Sequence, residues 1–115
     1  MRVTTDLWVS ALLRRVFGDG GFGAVMRRGA AEAGAVFVVT RNRLGETSLL
    51  GPAPQTAYDS GRPHERQFAA ILSDVDGDAI EARLAKEMRF DSDVWVVELE
   101  PGSTPLAELL VLTTP

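Results

Sequence analysis

The sequence predicts an α+β fold, with a mainly antiparallel sheet of four to five strands and an N-terminal helix and a crossover helix packed on it. Three observations carry this. Two segments place apolar residues at helical spacing, one near the N-terminus and one near residue 80. Several short runs rich in β-branched residues read as strands, the clearest being AVFVVTR and VWVVELE. The strand candidates follow one another in the first half of the chain, and the second helix separates the last two, so the elements do not alternate as in a parallel α/β fold.

Thr4, Thr5 and Asp6 are polar residues of the type that begin helices. Val9, Leu12, Leu13, Val16 and Phe17 follow at i, i+3, i+4, i+7 spacing with Trp8 beside them, which predicts a helix over 6–17. Gly18, Gly20 and Gly21 end it. Ala24–Arg28 reads as a short strand and Ala30–Gly34 as a connection. Ala35–Arg41 is apolar on both faces and is expected to be central. Asn42–Gly45 is a hairpin turn, and Glu46–Leu50 pairs back. Gly51–Glu65 holds three prolines and two glycines and has no periodic structure; long loops of this kind often carry function.

Arg66–Ser73 fits two templates. Phe68, Ile71, Leu72 and Val75 match a helical face, and Phe68, Ala70 and Leu72 match a strand; a strand is the expected outcome. Asp78 and Glu81 form a D-x-x-E cap for a helix over 79–89, with Ile80, Leu84 and Met88 as its buried stripe. Val94–Glu100 is a closing strand stopped by Pro101. Residues 101–115 form a tail whose leucines (Leu106, Leu109, Leu110 and Leu112) need cover, either from residues 1–100 or from a second copy in a homodimer.

Composition narrows the function. The 115 residues are of ordinary single-domain size, with 45% hydrophobic and 24% charged residues. No cysteine is present, which removes disulfides, thiol catalysis and thiolate metal sites and makes the cytoplasm the simplest location. Nothing in the N-terminal run resembles a secretory signal or a membrane span. The net charge of −4 argues against nucleic acid as partner. The charge is uneven: residues 1–30 are net +3, with Arg14, Arg15, Arg27 and Arg28 as a candidate basic patch, and residues 66–115 are net −6. Mutual neutralisation across the fold is the simpler account.

Four motifs bear on chemistry. Gly18-Asp19-Gly20-Gly21-Phe22-Gly23 satisfies G-x-G-x-x-G, but a dinucleotide loop follows a strand and opens a helix, whereas these glycines follow a helix. A kinase loop needs a following lysine, and the only lysine is Lys86. Asp74-Val75-Asp76-Gly77-Asp78 begins like a calcium loop, yet positions six and twelve are Ala79 and Ala85. The expectation is no cofactor and no metal. Arg89-Phe90-Asp91-Ser92-Asp93 joins the second helix to the closing strand; Asp91 or Asp93 closes an Asx-turn there, and Phe90 and Trp95 are assigned to the core. His64, the single histidine, lies in the long loop close to Tyr58, Arg62 and Arg66; these four are the candidate site for a small anionic ligand. No catalytic constellation accompanies them.

The runs WVSALLRR with the following GGF, then RRG, EAGAVF, GPAPQ and RFDSDVWVVELE, resemble an uncharacterised family of small bacterial proteins, the domain of unknown function 1491. The resemblance covers roughly residues 3–100. It implies a stand-alone domain and brings no active site. Two functions follow as expectations: a small interaction or ligand-binding module with a regulatory role, or a small enzyme acting on an anionic molecule held by the 51–66 loop.

Overall fold

The computed structural model describes residues 3–42, 44–54 and 66–113. Helix α1 (Thr5–Gly18) leads into strand β1 (Phe22–Arg27), then β2 (Val36–Arg41), β3 (Thr47–Pro52), β4 (Gln67–Val75), helix α2 (Gly77–Phe90), β5 (Trp95–Glu100), a single turn of helix α3 (Leu106–Leu109) and the two-residue strand β6 (Val111–Leu112). The fold is α+β, and the expected helices and strands are present with ends shifted by a few residues. Arg66–Ser73 resolves as strand.

The sheet has six strands in the order β1-β5-β2-β3-β4-β6. It is mixed: β1/β5, β2/β3 and β3/β4 are antiparallel, and β2/β5 and β4/β6 are parallel. This corrects the expected four to five mainly antiparallel strands. Strand β4 runs in the same direction as β2. A chain leaving β4 must cross over to add another strand in that direction, and α2 is that crossover. It delivers β5 between β1 and β2, a position that local pattern does not encode. Strand β6 follows β5 in the chain, so Val94–Glu100 is not the last strand.

The sheet is buried on both faces. On one, Val9, Leu12 and Val16 of α1 pack with Val36, Val38, Trp95, Val97 and Leu99, and Leu109 and Leu110 join the same cluster. On the other, Ile80 and Leu84 of α2 pack with Phe37, Leu49, Val94 and Val96, with Met88 alongside. The alternation of Val36 and Val38 against Phe37 thus serves both layers, as expected of a central strand.

Helix ends follow from specific hydrogen bonds. Thr5 and Asp6 donate their N–H groups to the carbonyls of Glu32 and Ala31 at 3.2 and 3.0 Å. The start of α1 is thus satisfied by backbone from the 31–34 turn and by Asp6 Oδ1, which accepts from Leu7 N–H at 2.7 Å, while Thr4 at the N-cap makes no side-chain cap bond. The N-cap of α2 is Asp76, whose Oδ1 accepts from Ala79 N–H at 3.0 Å. Asp78 lies in the first turn, so the expected D-x-x-E cap is displaced by two residues. Phe90 is 82% exposed and does not join the core, contrary to its assignment, while Trp95 is buried and its indole N–H donates to Ala30 carbonyl at 2.8 Å. Phe90 follows Met88 by two residues, about 200° around the helix, and so falls off the stripe that Ile80, Leu84 and Met88 define.

Candidate functional site

Of the four residues proposed from the loop, Tyr58, Arg62 and His64 lie outside the described residues, and the structure places Arg66 alone. Its Nη2 donates to Thr5 Oγ1 at 2.6 Å, and its guanidinium carbon lies 5.5 Å from the centroid of the Trp8 ring. Trp8 stacks in turn on Phe68 at 5.7 Å. The Thr5 hydroxyl donates in turn to Gly34 carbonyl at 2.9 Å. Arg66 therefore ties the start of β4 to the start of α1, using a charge-assisted hydrogen bond and the face of an aromatic ring. Beside it a small cavity of about 40 Å³ is lined by Val36, Pro52, Arg66, Gln67 and Phe68. Gln67 is 2% exposed and its Nε2 has no hydrogen-bond partner among the described residues.

The other motifs resolve into structure. The glycine run lies between α1 and β1, so it follows a helix and enters a strand. Gly20 takes φ +81°, and a Cβ on Gly21 would stand 2.5 Å from Glu100 carbonyl oxygen, so both positions need glycine for the turn and its packing. In the acidic run, Asp74 donates its N–H to Ser48 Oγ at 3.0 Å and Asp76 caps α2. No group of three or more His, Asp or Glu able to hold a metal occurs among the described residues. Asp91 Oδ1 accepts from Asp93 N–H at 2.9 Å and closes the Asx-turn before β5. Three arginines of the proposed patch have separate partners. Arg15 donates to Glu108 carbonyl, Arg27 donates to Ser92 carbonyl, and Arg28 sits 4.9 Å from the Trp95 ring centroid.

A larger concavity lies on the opposite face of the sheet, where α2 overhangs β3 and β4. It measures about 350 Å³. Its apolar lining comes from Phe37 of β2, Pro52 and Pro54 at the end of β3, and Ala69, Ala70 and Ile71 of β4. Arg83 and Glu87 of α2 supply its charged lining. They are one turn apart, with Arg83 Nε donating to Glu87 Oε1 at 2.9 Å, and both side chains are partly exposed. Gly51 shapes the floor. A Cβ there would stand 2.5 Å from Ile71 Cδ1 and 2.9 Å from Phe37 Cε1, so only glycine lets these two side chains close over the strand.

Sequence reasoning did not assemble this cleft. The Arg83…Glu87 spacing was available as an i, i+4 pair, and Gly51-Pro52-Ala53-Pro54 was visible as a break. Which strand the helix overhangs depends on the crossover.

A family model described as "Protein of unknown function (DUF1491)" matches residues 3–106. Among solved structures, the solution structure of protein Atu0922 from A. tumefaciens is 48% identical. It superposes with a TM-score of 0.81 over 97% of this chain and 95% of that one. The crystal structure of a DUF1491 family protein from Caulobacter crescentus CB15 is 31% identical, with a TM-score of 0.75 over 100% of this chain and 99% of that one. An NMR structure of a DUF1491 family protein from the same organism gives 31% identity and 0.75 over 100% and 98%. No curated protein matches the chain. None of the matching descriptions states an activity.

Proposed function

The chain belongs to the DUF1491 family, and we propose that it is a small ligand-binding module whose site is the cleft beneath α2. The observation that carries this reading is the make-up of that cleft. Its volume of about 350 Å³ is in the range of small-molecule sites, roughly 300–1,000 Å³. Six apolar residues form most of its wall, and among the described residues its polar side chains are confined to one place, the Arg83–Glu87 pair. An apolar wall supplies affinity, and a few placed polar groups orient what binds. The reading assigns no catalytic step. A cytoplasmic location belongs to the proposal and rests on the absence of cysteine. No helix among the described residues is long and apolar enough to cross a membrane.

The test is a screen of small soluble fragments by amide NMR on the full chain. Binding in the cleft is expected to shift Ala69, Ala70, Ile71, Arg83 and Glu87 together, leaving Val9 and Leu12 on the α1 face unmoved. Hits that cluster on the α1 face, or a screen with no saturable hit, would remove the cleft as the site.

A further inference from the structure

We infer that the cleft binds a free α-amino acid with a large apolar side chain, as its zwitterion; this rests on the ligand-binding reading above and names its ligand class. The argument starts from the charged lining. Arg83 uses Nε on Glu87, and its two terminal nitrogens make no further hydrogen bond among the described residues. Those nitrogens are donors suited to a carboxylate. Glu87, one turn away, is an acceptor suited to an ammonium group. A ligand bearing only a carboxylate would satisfy Arg83 and be repelled by Glu87, and a ligand bearing only an amine would do the reverse. A zwitterion answers both, because its two charges are joined through a single carbon and Arg83 and Glu87 lie side by side on one helix face.

The remainder of the cleft fits the rest of such a molecule. Phe37, Ile71 and the rings of Pro52 and Pro54 offer an apolar surface without a competing polar side chain among the described residues. The volume of about 350 Å³ is at the small end for ligand sites, which suits one amino acid better than a nucleotide cofactor. Opening the pair to admit the ligand meets little resistance. Arg83 and Glu87 are 40% and 28% exposed, and exposed helical ion pairs are weak.

The experiment titrates the full-length chain with three probes, followed by amide NMR: L-phenylalanine, 3-phenylpropionate, which lacks the ammonium, and 2-phenylethylamine, which lacks the carboxylate. L-phenylalanine is expected to saturate the Ala70, Ile71, Arg83 and Glu87 shifts, with each single-charge probe at least tenfold weaker. Arg83→Gln and Glu87→Gln are each expected to weaken L-phenylalanine at least tenfold while keeping the dispersed spectrum of the folded chain. Equal binding of 3-phenylpropionate and L-phenylalanine would overturn the zwitterion assignment and leave the cleft as a ligand site. If none of the three binds while other fragments still fill the cleft, the amino-acid assignment falls alone. Absence of every ligand from the cleft would take both readings down.

Discussion

Gly51 lies directly against the ring of Phe37, so close that a Cβ at position 51 would stand 2.9 Å from Phe37 Cε1. Phe37 is 6% exposed and held in the cluster that α2 covers, so it has little room to retreat. Gly51→Ala is therefore expected to destabilise the chain by about 1–3 kcal/mol, the usual cost of overpacking. Chemical denaturation of the two proteins measures this. Adding Phe37→Leu should recover part of the loss, and additive losses in the double variant would show that the ring is not what the methyl meets.

The relation between Gly51 and Phe37 also shows where the sequence stops being informative. Strand β2 was legible because AVFVVTR is apolar at odd and even positions, which only a doubly covered strand tolerates. The strand Gln67–Val75 was half legible, since its apolar residues satisfy two periods at once. The insertion of β5 between β1 and β2 was not legible: alternation states which face a residue takes and is silent on the neighbouring strand. Strand β6 is two residues long and leaves no period to detect. The same limit hid the cleft, because Arg83 and Glu87 are local to α2 while Phe37, Pro52 and Ile71 reach them only through strand order. For the loop site, Arg66 proved to be engaged with Thr5 and Trp8, and its three proposed companions lie outside the described residues.

Asp76 and Asp78 compete for one role in the sequence DVDGDA, and the geometry gives it to Asp76. Asp78 looked the better cap because Glu81 three residues later completes a D-x-x-E pattern. Asp76→Ala is expected to cost about 0.5–2 kcal/mol, since Ala79 N–H loses its acceptor. Asp78→Ala should cost less, as it removes only a charge near the helix N-terminus. Urea midpoints of the two variants check the order, and a larger loss for Asp78→Ala would reverse the assignment.

Asp6 gives a pH signature. The Thr4 hydroxyl, donating to Asp6 Oδ1 at 2.6 Å, is the main cause holding its carboxyl below the ordinary value. Partial desolvation opposes it, and the Leu7 N–H and the Arg28 charge reinforce it. A carboxyl lowered in the folded state stabilises the fold above its ordinary pKa, and that contribution is lost as the pH falls through the lowered value. The melting midpoint of the native chain should therefore exceed that of Asp6→Asn by a small margin at neutral pH, with the margin closing in strong acid. A margin independent of pH would show that the ionised carboxylate is not the stabilising form.

Leu110 is 3% exposed within one chain, packed in the cluster that also holds Val9, Val16 and Phe68. Leu109 is buried beside it, Leu110 N–H donates to Leu106 carbonyl at 2.9 Å, and Thr113 N–H donates to Phe68 carbonyl at 2.8 Å. Arg15 adds a hydrogen bond to Glu108 carbonyl from the outer side of α1. Within one chain these two leucines are covered, whereas Leu112 is 41% exposed. Leu110→Ala is expected to cost about 2–5 kcal/mol, as for other large-to-small changes in a packed core. The thermal midpoints of the parent and the variant should be independent of protein concentration, because mass action enters only where folding is linked to association. A parent midpoint that rises with concentration, together with a variant that has lost this dependence, would place the leucines in a dimer interface instead.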